Sequence, residues 1–304
     1  MNILDKLNYE QKKINQECIV KHYDDIVLKQ HLHTIEKSTT NNLRCINSFI
    51  KSCILKNYVK KNDIVLDLGC GKGGDLHKYQ SLKIKKYTGV DVSEKSIEEA
   101  KRRTNNLKIS FITRFCIADA YNDVLLFDST KSSTCCSNSP KLNQFDVITS
   151  QFSFHYAFHD DVSLEIAVSN VSLNLKPNGF FIITVPRKNI IINRILKHRA
   201  HNSLYSITGV CPNSENIESW KSYNFCLVGS VNGCTEYFVD FLKLKKMLEK
   251  ENINLVERTP FVSLLKQYTK EYPTLFTRMK IENPNKEETD VIGLYEVIVF
   301  QKHV

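Results

Sequence analysis

The apolar and polar positions of the chain alternate between the spacing of a helix and that of a buried strand. In residues 41–58, apolar side chains recur at helical spacing, which predicts an amphipathic helix. Short apolar runs predict buried strands at residues 64–68, 86–92, 110–117, 145–150 and 180–185. Helical patterns separate these runs at residues 73–82, 93–105 and 164–175, and Ser93 is a candidate helix cap.

Strands and helices that alternate at this spacing predict a doubly wound sheet. The last third of the chain continues the pattern with strands at residues 224–228 and 294–300 and a helix at residues 239–251. The expected fold class is therefore α/β and Rossmann-like, with a mostly parallel central sheet and helices on both faces. We expect the apolar C-terminal strand to enter this sheet.

Two segments interrupt the pattern. Residues 129–144 are polar and rich in serine, which predicts a disordered surface insert. Residues 189–219 look irregular and begin with basic side chains, so we expect a lid or subdomain near residues 189–235. Residues 1–40 are expected to form an N-terminal extension, and residues 41–304 a single large domain.

Composition narrows the choice of compartment and partner. The chain of 304 residues has 42 Lys and Arg against 33 Asp and Glu, a net charge of +9. This balance is compatible with a polyanionic partner, although an ordinary solvated basic surface gives it too.

The ten cysteines are scattered without a C-x-x-C pair, so we expect free thiols and no metal site. No window has the ~18 apolar residues of a membrane span; we expect an intracellular monomer without membrane contact.

The glycine-rich stretch L-D-L-G-C-G-K-G-G-D-L raises a choice between two nucleotide ligands. Its G-x-G-x-x-G follows a predicted strand, which is typical of dinucleotide sites in dehydrogenases. Asp67 would face the pyrophosphate of such a ligand, and the repulsion at ~4 Å is on the order of 1 kcal/mol in water and more in a drier site. S-adenosylmethionine carries an ammonium, a sulfonium and no phosphate, so Asp67 favours this ligand. The glycines let the backbone approach it.

Two further acids follow the next two strands. Asp91 ends Y-T-G-V-D, where a carboxylate can accept both ribose hydroxyls, and Asp119 follows the third strand, where it can accept the adenine amino group. Each has an alternative role as a cap for the helix that follows. Together with Asp67 they predict an S-adenosylmethionine site at the carboxyl ends of the strands, where open sheets bind ligands.

Seven stretches of the sequence carry a resemblance to one family. They are H-Y-D-D from residue 22, N-L-R-C-I-N-S-F-I-K-S from 42, the glycine loop, Y-T-G-V-D-V-S-E-K-S-I-E-E-A from 87, Q-F-S-F-H-Y-A-F from 151, E-Y-F-V-D-F from 236 and L-Y-E-V-I-V-F from 294. In this order they resemble the eukaryotic messenger RNA cap guanine-N7 methyltransferases, in particular their compact, tail-less members. The insert at residues 129–144 departs from the family pattern.

The resemblance implies a class I methyltransferase domain and a role for each matching residue. The residues implied to bind S-adenosylmethionine are Lys51 at its carboxylate, Gly69 at its backbone, Asp91, Asp119, Gln151, Ser153 and Tyr156, beside Asp67. The residues that match cap-contacting positions are Asn47, Ser48, Lys72, Lys78, Arg103, His155, Glu236 and Tyr295.

The chemistry of a cap suits the second set. Lys72, Lys78 and Arg103 are cations on or beside the glycine loop, where a triphosphate would need them. Glu236 can accept both the ring NH and the amino group of guanine, which would reject adenine, and His155 can donate to the guanine carbonyl. The aromatic residues of Q-F-S-F-H-Y-A-F could stack on the base.

Each of these residues also has a plain structural interpretation. The aromatic residues and Tyr295 could pack in the core, His155 could be a buried structural histidine, and Glu236 an exposed strand residue. Lys78 and Arg103 could be solvated helix charges.

The sequence therefore predicts methyl transfer from S-adenosylmethionine to N7 of the guanosine cap, with no acid or base at the methyl group. Capped RNA is the expected partner, together with other capping enzymes or RNA polymerase II, and the nucleus is the expected location. Three alternatives stay open at this point: a methyltransferase for a small molecule or a protein, a catalytically silent RNA-binding module, and a dehydrogenase.

Overall fold

A seven-stranded sheet forms the centre of the molecule. The computed structural model describes residues 17, 20, 21, 24, 40–127, 144–209 and 220–304. The predictions for residues 129–143, for most of residues 1–39 and for residues 210–219 lie outside the described residues.

The helices and strands are numbered in chain order. The helices are α1 Asn41–Tyr58, α2 Leu76–Leu82, α3 Glu94–Asn106, α4 Asp161–Asn174, α5 Lys188–Leu196, α6 Phe241–Lys250, α7 Phe261–Glu271, α8 Pro273–Arg278 and α9 Lys286–Ile292, and a short 3-10 helix spans Phe154–His159. The strands are β1 Ile64–Leu68, β2 Lys86–Asp91, β3 Ile112–Ile117, β4 Phe145–Gln151, β5 Leu175–Pro186, β6 Tyr205–Gly209, β7 Ser222–Leu227, β8 Val231–Tyr237, β9 Ile253–Pro260 and β10 Tyr295–Lys302.

The order of strands in the large sheet is β3-β2-β1-β4-β5-β10-β9. Strands β1 to β5 run parallel, and β10 lies antiparallel between β5 and β9. The predicted fold class is confirmed, including the entry of the C-terminal strand. The strand order reverses between β1 and β4, and this is the point at which open α/β sheets bind ligands.

Apolar side chains cover both faces of the sheet. One core joins α1, α2, α3 and α7 to the sheet, and it includes Phe49, Tyr87 and Val297. The other core lies under α4 and α6, and it includes Phe181 and Ile298. The alternation of buried side chains along β10 thus supplies both layers.

Helix boundaries follow their caps. Ser93 accepts a hydrogen bond from the Ser96 backbone N–H (3.1 Å), so the predicted cap of α3 is confirmed. Helix α4 begins earlier than predicted because Asp160 caps it through the Ser163 N–H (2.7 Å). The P-N-G turn predicted to follow α4 is instead part of β5, where the pairing with β4 shifts register.

A second sheet of three antiparallel strands, in the order β6-β7-β8, is added to this frame. The prediction that residues 189–219 are irregular is wrong for its described part, which contains most of α5 and all of β6. Ile191 of α5 is buried in the core, and Ile190, Ile192 and Ile195 pack against its edge. Whether this region acts as a lid stays a prediction. Within the described residues, no helix is long and apolar enough to cross a membrane.

Candidate active site

The glycine loop closes tightly against the end of β4. Gly69 has φ +72°, and a Cβ atom there would lie 2.3 Å from the Ser153 Oγ. Its backbone N–H donates to the Val90 carbonyl of β2 (2.8 Å). Only glycine combines this backbone conformation with so close an approach.

A cavity of about 320 Å³ opens above this loop at the carboxyl ends of β1, β2, β3 and β4. Its wall contains every residue that the sequence assigned to S-adenosylmethionine: Lys51, Asp67, Gly69, Asp91, Asp119, Gln151, Ser153 and Tyr156. The fold therefore brings these eight residues together from five separate stretches of the chain. The contacts that each makes with a ligand stay predictions.

Asp91 is held by the backbone on both carboxylate oxygens. The Gly71 N–H donates to Oδ2 (2.7 Å) and the Ser93 N–H donates to Oδ1 (3.0 Å). Burial raises the pKa of Asp91 and these two hydrogen bonds lower it. Each oxygen keeps a second lone pair, so the group can still accept the two ribose hydroxyls.

Asp119 is held in a similar way at the end of β3. It accepts hydrogen bonds from the Tyr121 N–H (2.9 Å) and the Asn122 amide (2.8 Å). These bonds fix its orientation at the cavity wall, where adenine is expected. The described residues after Asp119 form a turn and not a helix, so the helix-capping role considered for Asp119 is wrong.

Asp67 is more deeply buried than its expected role suggests. It accepts hydrogen bonds from the Tyr87 hydroxyl (2.8 Å) and the Thr149 hydroxyl (2.9 Å). Burial and then the charge of Asp75 raise the pKa of Asp67 to about 7. A cationic ligand nearby would favour the ionised form. The expected contact between Asp67 and the charge of S-adenosylmethionine stays a prediction.

Lys51 is oriented by an acid that the sequence did not single out. Asp75 lies 2.8 Å from Lys51 Nζ and 2.8 Å from Lys78 Nζ. Although burial would raise its pKa, these two lysines hold the pKa of Asp75 below its usual range. Lys51 lies at the cavity wall, whereas the Lys78 side chain is 3% exposed and serves this ion pair. The expected contact of Lys78 with a phosphate stays a prediction.

Unsatisfied polar atoms indicate that the cavity suits a polar ligand. In the described part of the chain, Gln151 Nε2 is buried without a hydrogen-bond partner, while its oxygen accepts from Thr184 (2.7 Å). A Cβ atom on Gly71 would meet nothing within 4 Å, so its backbone faces open space. Donors, carboxylates and one lysine around this space fit the amine, carboxylate and ribose of S-adenosylmethionine.

A second cluster of buried polar groups adjoins the cavity. Glu236 of β8 is 6% exposed, and the hydroxyl of Tyr223 on β7 donates to its Oε2 (2.6 Å). The Nε2 atom of His155 lies 3.9 Å from Glu236 Oε1. Tyr156, which lines the cavity, packs against His155 with ring centroids 4.3 Å apart. The predicted cap residues His155 and Glu236 are thus neighbours of the cavity wall.

His155 is a neutral imidazole in this environment. Burial lowers its pKa to about 3, so its proximity to Glu236 is no ion pair. Neither ring nitrogen has a hydrogen-bond partner among the described residues. A neutral histidine can donate one hydrogen bond, which is the role expected toward the guanine carbonyl.

Burial raises the pKa of Glu236, and the hydrogen bond from the Tyr223 hydroxyl opposes this shift in part. The resulting pKa is about 7. The group therefore titrates near neutrality. Tyr295 of β10 is 7% exposed, and its ring lies 5.0 Å from that of Phe152. Phe152 lines the cavity and has φ +62°, an uncommon conformation for a non-glycine residue.

The remaining cap candidates lie on α1, on α3 and in the glycine loop. Asn47 lies one turn before Lys51 on α1, and in the described structure its buried Oδ1 has no hydrogen-bond partner. The carbonyl of Ser48 accepts from the Ser52 hydroxyl (2.7 Å). Arg103 donates to Glu99 (2.9 Å) and keeps 37% of its side chain exposed.

Lys72 lies in an electropositive setting. Burial and then the charge of Arg103 lower the pKa of Lys72 to about 8, with Glu99 opposing and Arg44 adding to the shift. Converging cations of this kind are typical of a site for a polyanion.

Several residues of the site were missed or assigned a wrong place. Phe154 does not offer a stacking face, because it is fully buried against Phe181 (centroids 5.2 Å apart). The sequence did not point to Tyr223, which is paired with Glu236 in the β7–β8 register. Asp75, Asn122, His159 and Tyr237 also line the cavity unpredicted.

In the part of the chain that the structure describes, no group of three or more His, Cys, Asp and Glu side chains is placed to hold a metal ion.

The fold and the donors around the cavity are those expected of an S-adenosylmethionine-dependent methyltransferase. A family model described as the mRNA (guanine-N(7))-methyltransferase domain matches residues 6–303, so the chain belongs to this family. The resemblance inferred from the motifs is confirmed.

Named relatives agree with this assignment. The chain is 29% identical over 86% of its length to the mRNA cap guanine-N(7) methyltransferase of Schizosaccharomyces pombe, covering 75% of that protein. It is 32% identical over 80% of its length to mRNA cap guanine-N(7) methyltransferase 1 of Arabidopsis thaliana, covering 66% of it. The protein of that name in Eremothecium gossypii is 29% identical over 82% of the chain, which spans 60% of its length.

Solved structures confirm the fold. A putative S-adenosylmethionine dependent methyltransferase from Listeria monocytogenes has a TM-score of 0.53 at 16% identity, with 85% of this chain and 99% of that chain covered. At such identity the likeness concerns the fold alone.

Proposed function

We propose that the protein transfers the methyl group of S-adenosylmethionine to N7 of the guanosine cap of mRNA. The observation that supports this proposal is that the cofactor cavity lies next to a second cluster of buried polar residues. The cavity lined by the eight cofactor candidates adjoins the buried Glu236–His155 cluster, whose acceptor and donor match the edge of guanine.

The chain need not move a proton in this reaction. Bound S-adenosylmethionine supplies an electrophilic methyl group on a sulfonium, and N7 of guanine has a lone pair and no proton. Residues that hold the base and the cofactor therefore contribute by proximity and orientation. Neutral His155 is in accord with this role, since it cannot act as an acid in the imidazolium form near neutral pH.

Glu236 has a second effect on the reaction through its charge. The guanine ring gains positive charge as its nitrogen is alkylated, and a buried carboxylate at the opposite edge stabilises that charge. Tyr223 holds this carboxylate in place and favours its ionised form.

The test is methyl transfer to a defined RNA. Labelled S-adenosylmethionine with a guanosine-triphosphate-capped RNA should give 7-methylguanosine on nucleoside analysis. Transfer to proteins or small molecules instead would support the first alternative, and cap binding without transfer would support a silent RNA-binding module. Methylation at any other atom of the RNA contradicts the proposal.

The Lys72 ammonium should make cap binding weaken in alkaline solution. Its pKa is about 8, so its charge is present below that pH and is lost above it. The KM for capped RNA should therefore rise as the pH increases through 8, by about ten-fold for one lost charge-assisted phosphate contact. The Lys72→Arg variant, which keeps its charge, should show a flat KM over the same range. A KM that rises equally in both proteins would contradict the role of Lys72.

Tyr223→Phe should shift the acid limb of the pH profile. The variant removes the hydroxyl that lowers the pKa of Glu236, so protonation of Glu236 occurs at higher pH. We expect the half-maximal point of kcat/KM for capped RNA to move upward by roughly one pH unit. Cofactor affinity, measured across the same pH range, separates this effect from titration of Asp67. An unmoved acid limb would show that Tyr223 does not act on Glu236.

We also propose that the protein acts on capped transcripts in the nucleus, beside other capping enzymes or RNA polymerase II. This rests on the mRNA cap methyltransferases named among its fungal and plant relatives. Localisation of the tagged full-length protein tests the compartment.

A further inference from the structure

Asp24, from the segment before α1, lies against the loop that follows β2. Its Oδ1 accepts a hydrogen bond from the Ser93 hydroxyl (2.6 Å), and its Oδ2 lies 3.6 Å from the Lys95 ammonium. The Asp24 side chain is 19% exposed in this position. The cofactor cavity is lined by residues on the other side of the same loop, Asp91 and Val92.

Hydrogen bonds continue from Asp24 to the cavity wall. Ser93 is fully buried, and its hydroxyl oxygen accepts from the Ser96 N–H (3.1 Å). The backbone N–H of Ser93 donates to Asp91 Oδ1 (3.0 Å), while the Gly71 N–H holds the other oxygen. Asp24 therefore stands at the far end of a chain of contacts that leads through Ser93 to Asp91.

We propose that Asp24 is a positioning residue of the cofactor site, which acts through Ser93 to keep Asp91 in the orientation that binds ribose. Without the Asp24 carboxylate, the buried Ser93 hydroxyl has no acceptor for its proton. A buried hydrogen-bond donor without an acceptor costs free energy. The hydroxyl then turns toward another acceptor, and the loop between Asp91 and α3 loses its fixed geometry. The family match begins at residue 6, which accords with a segment that belongs to the domain.

The measurement is calorimetric titration of the full-length protein with S-adenosylhomocysteine. Asp24→Ala should bind the ligand roughly five-fold more weakly than the wild type. This is less than the full effect of a lost hydrogen bond to a charged group, because Asp24 acts on the ligand only through Ser93 and Asp91. Asp24→Asn should bind nearly as the wild type, because its amide oxygen accepts the same hydrogen bond. The kcat at saturating cofactor and the KM for capped RNA should be unchanged in both variants.

Controls separate the hydrogen bond from charge and from general destabilisation. Lys95→Ala removes the ion pair of Asp24 and leaves its hydrogen bond with Ser93, so this variant should bind as the wild type. The double variant with Ser93→Ala and Asp24→Ala should bind the ligand no more weakly than Ser93→Ala alone, because both side chains act through the same hydrogen bond.

Three results would overturn the proposal: unchanged affinity in Asp24→Ala, equal loss in Asp24→Asn, or additive losses in the double variant. Equal loss in Asp24→Asn would assign the effect to the charge of Asp24. The titration contains no RNA and rests only on the cofactor class, so its outcome does not depend on whether the cap is the substrate.

Discussion

Glu236→Gln is expected to lower kcat/KM for methylation of capped RNA by about 10²- to 10³-fold, the cost of weakening two charge-assisted hydrogen bonds to guanine. The variant keeps the shape of the side chain and can keep the hydrogen bond from Tyr223. It replaces one acceptor oxygen with an amide donor and removes the negative charge. Because Glu236 is absent from the cavity wall that holds the cofactor candidates, S-adenosylmethionine should bind normally, as calorimetry can verify.

An altered substrate makes this prediction specific. Inosine lacks the amino group of guanine, so an inosine-capped RNA offers Glu236 one donor instead of two. The wild type should prefer the guanosine cap by at least about ten-fold, and Glu236→Gln should have lost most of this preference. Equal discrimination by both proteins would show that another group recognises the guanine edge.

The pH dependence of the wild type supplies an independent check. The carboxylate of Glu236, with a pKa of about 7, is the acceptor, and protonation below that pH removes it. Activity should therefore fall as the pH decreases through 7, and it should fall again above 8 as Lys72 loses its proton. At saturating S-adenosylmethionine, which removes the effect of Asp67 on cofactor binding, the Glu236→Gln variant should retain the alkaline limb without the acid limb.

Local patterns were sufficient to predict much of the frame from sequence. The bounds of α1 and β1 agree with prediction residue for residue. A long apolar stripe at helical spacing fits only a helix, and a short continuous apolar run fits a buried strand. The Ser93 cap could also be predicted, because the hydrogen bond at the start of a helix joins residues that are close in sequence. Seven of the eight cofactor candidates lie at strand ends or just after them, and these ends meet at one edge of the sheet; Lys51 reaches the cavity from α1.

Elements whose stability comes from distant partners were not predictable. Strand β9 pairs along β10 at the edge of the sheet, and the polar side chains of Asn254 and Glu257 mask its pattern. Strand β8 contains Gly233 and few apolar residues, and it is held by cross-strand pairing with β7. Because β8 was missed, the partner of Glu236 was missed as well.

Asp75 illustrates the same limit within the site. It follows the glycine loop directly, and its function as the counter-ion of Lys51 depends on a residue 24 positions earlier on another helix. Nothing in the local sequence marks such a pair. Buried ion pairs and tertiary hydrogen bonds are therefore the part of the site that only the structure supplies.

Asp91→Ala is expected to weaken binding of S-adenosylmethionine by about 100-fold or more, the loss of two charge-assisted hydrogen bonds to ribose. Asp91→Asn should be affected almost as much. Backbone N–H groups donate to both carboxylate oxygens, so an amide nitrogen in either place would turn a donor toward a donor. Asp161→Ala, which removes an 82% exposed carboxylate at the start of α4, should bind as the wild type.

A ligand without the hydroxyls distinguishes a lost contact from a distorted loop. Wild-type protein should bind S-adenosylhomocysteine about 100-fold more tightly than its 2′,3′-dideoxy form, because only the first can donate to Asp91. Asp91→Ala should bind both ligands with similar, weak affinity, and the double comparison isolates the contact between carboxylate and ribose. If Asp91→Ala still prefers the hydroxylated ligand by the wild-type factor, ribose is held elsewhere, and the loop after β2 has only a structural role.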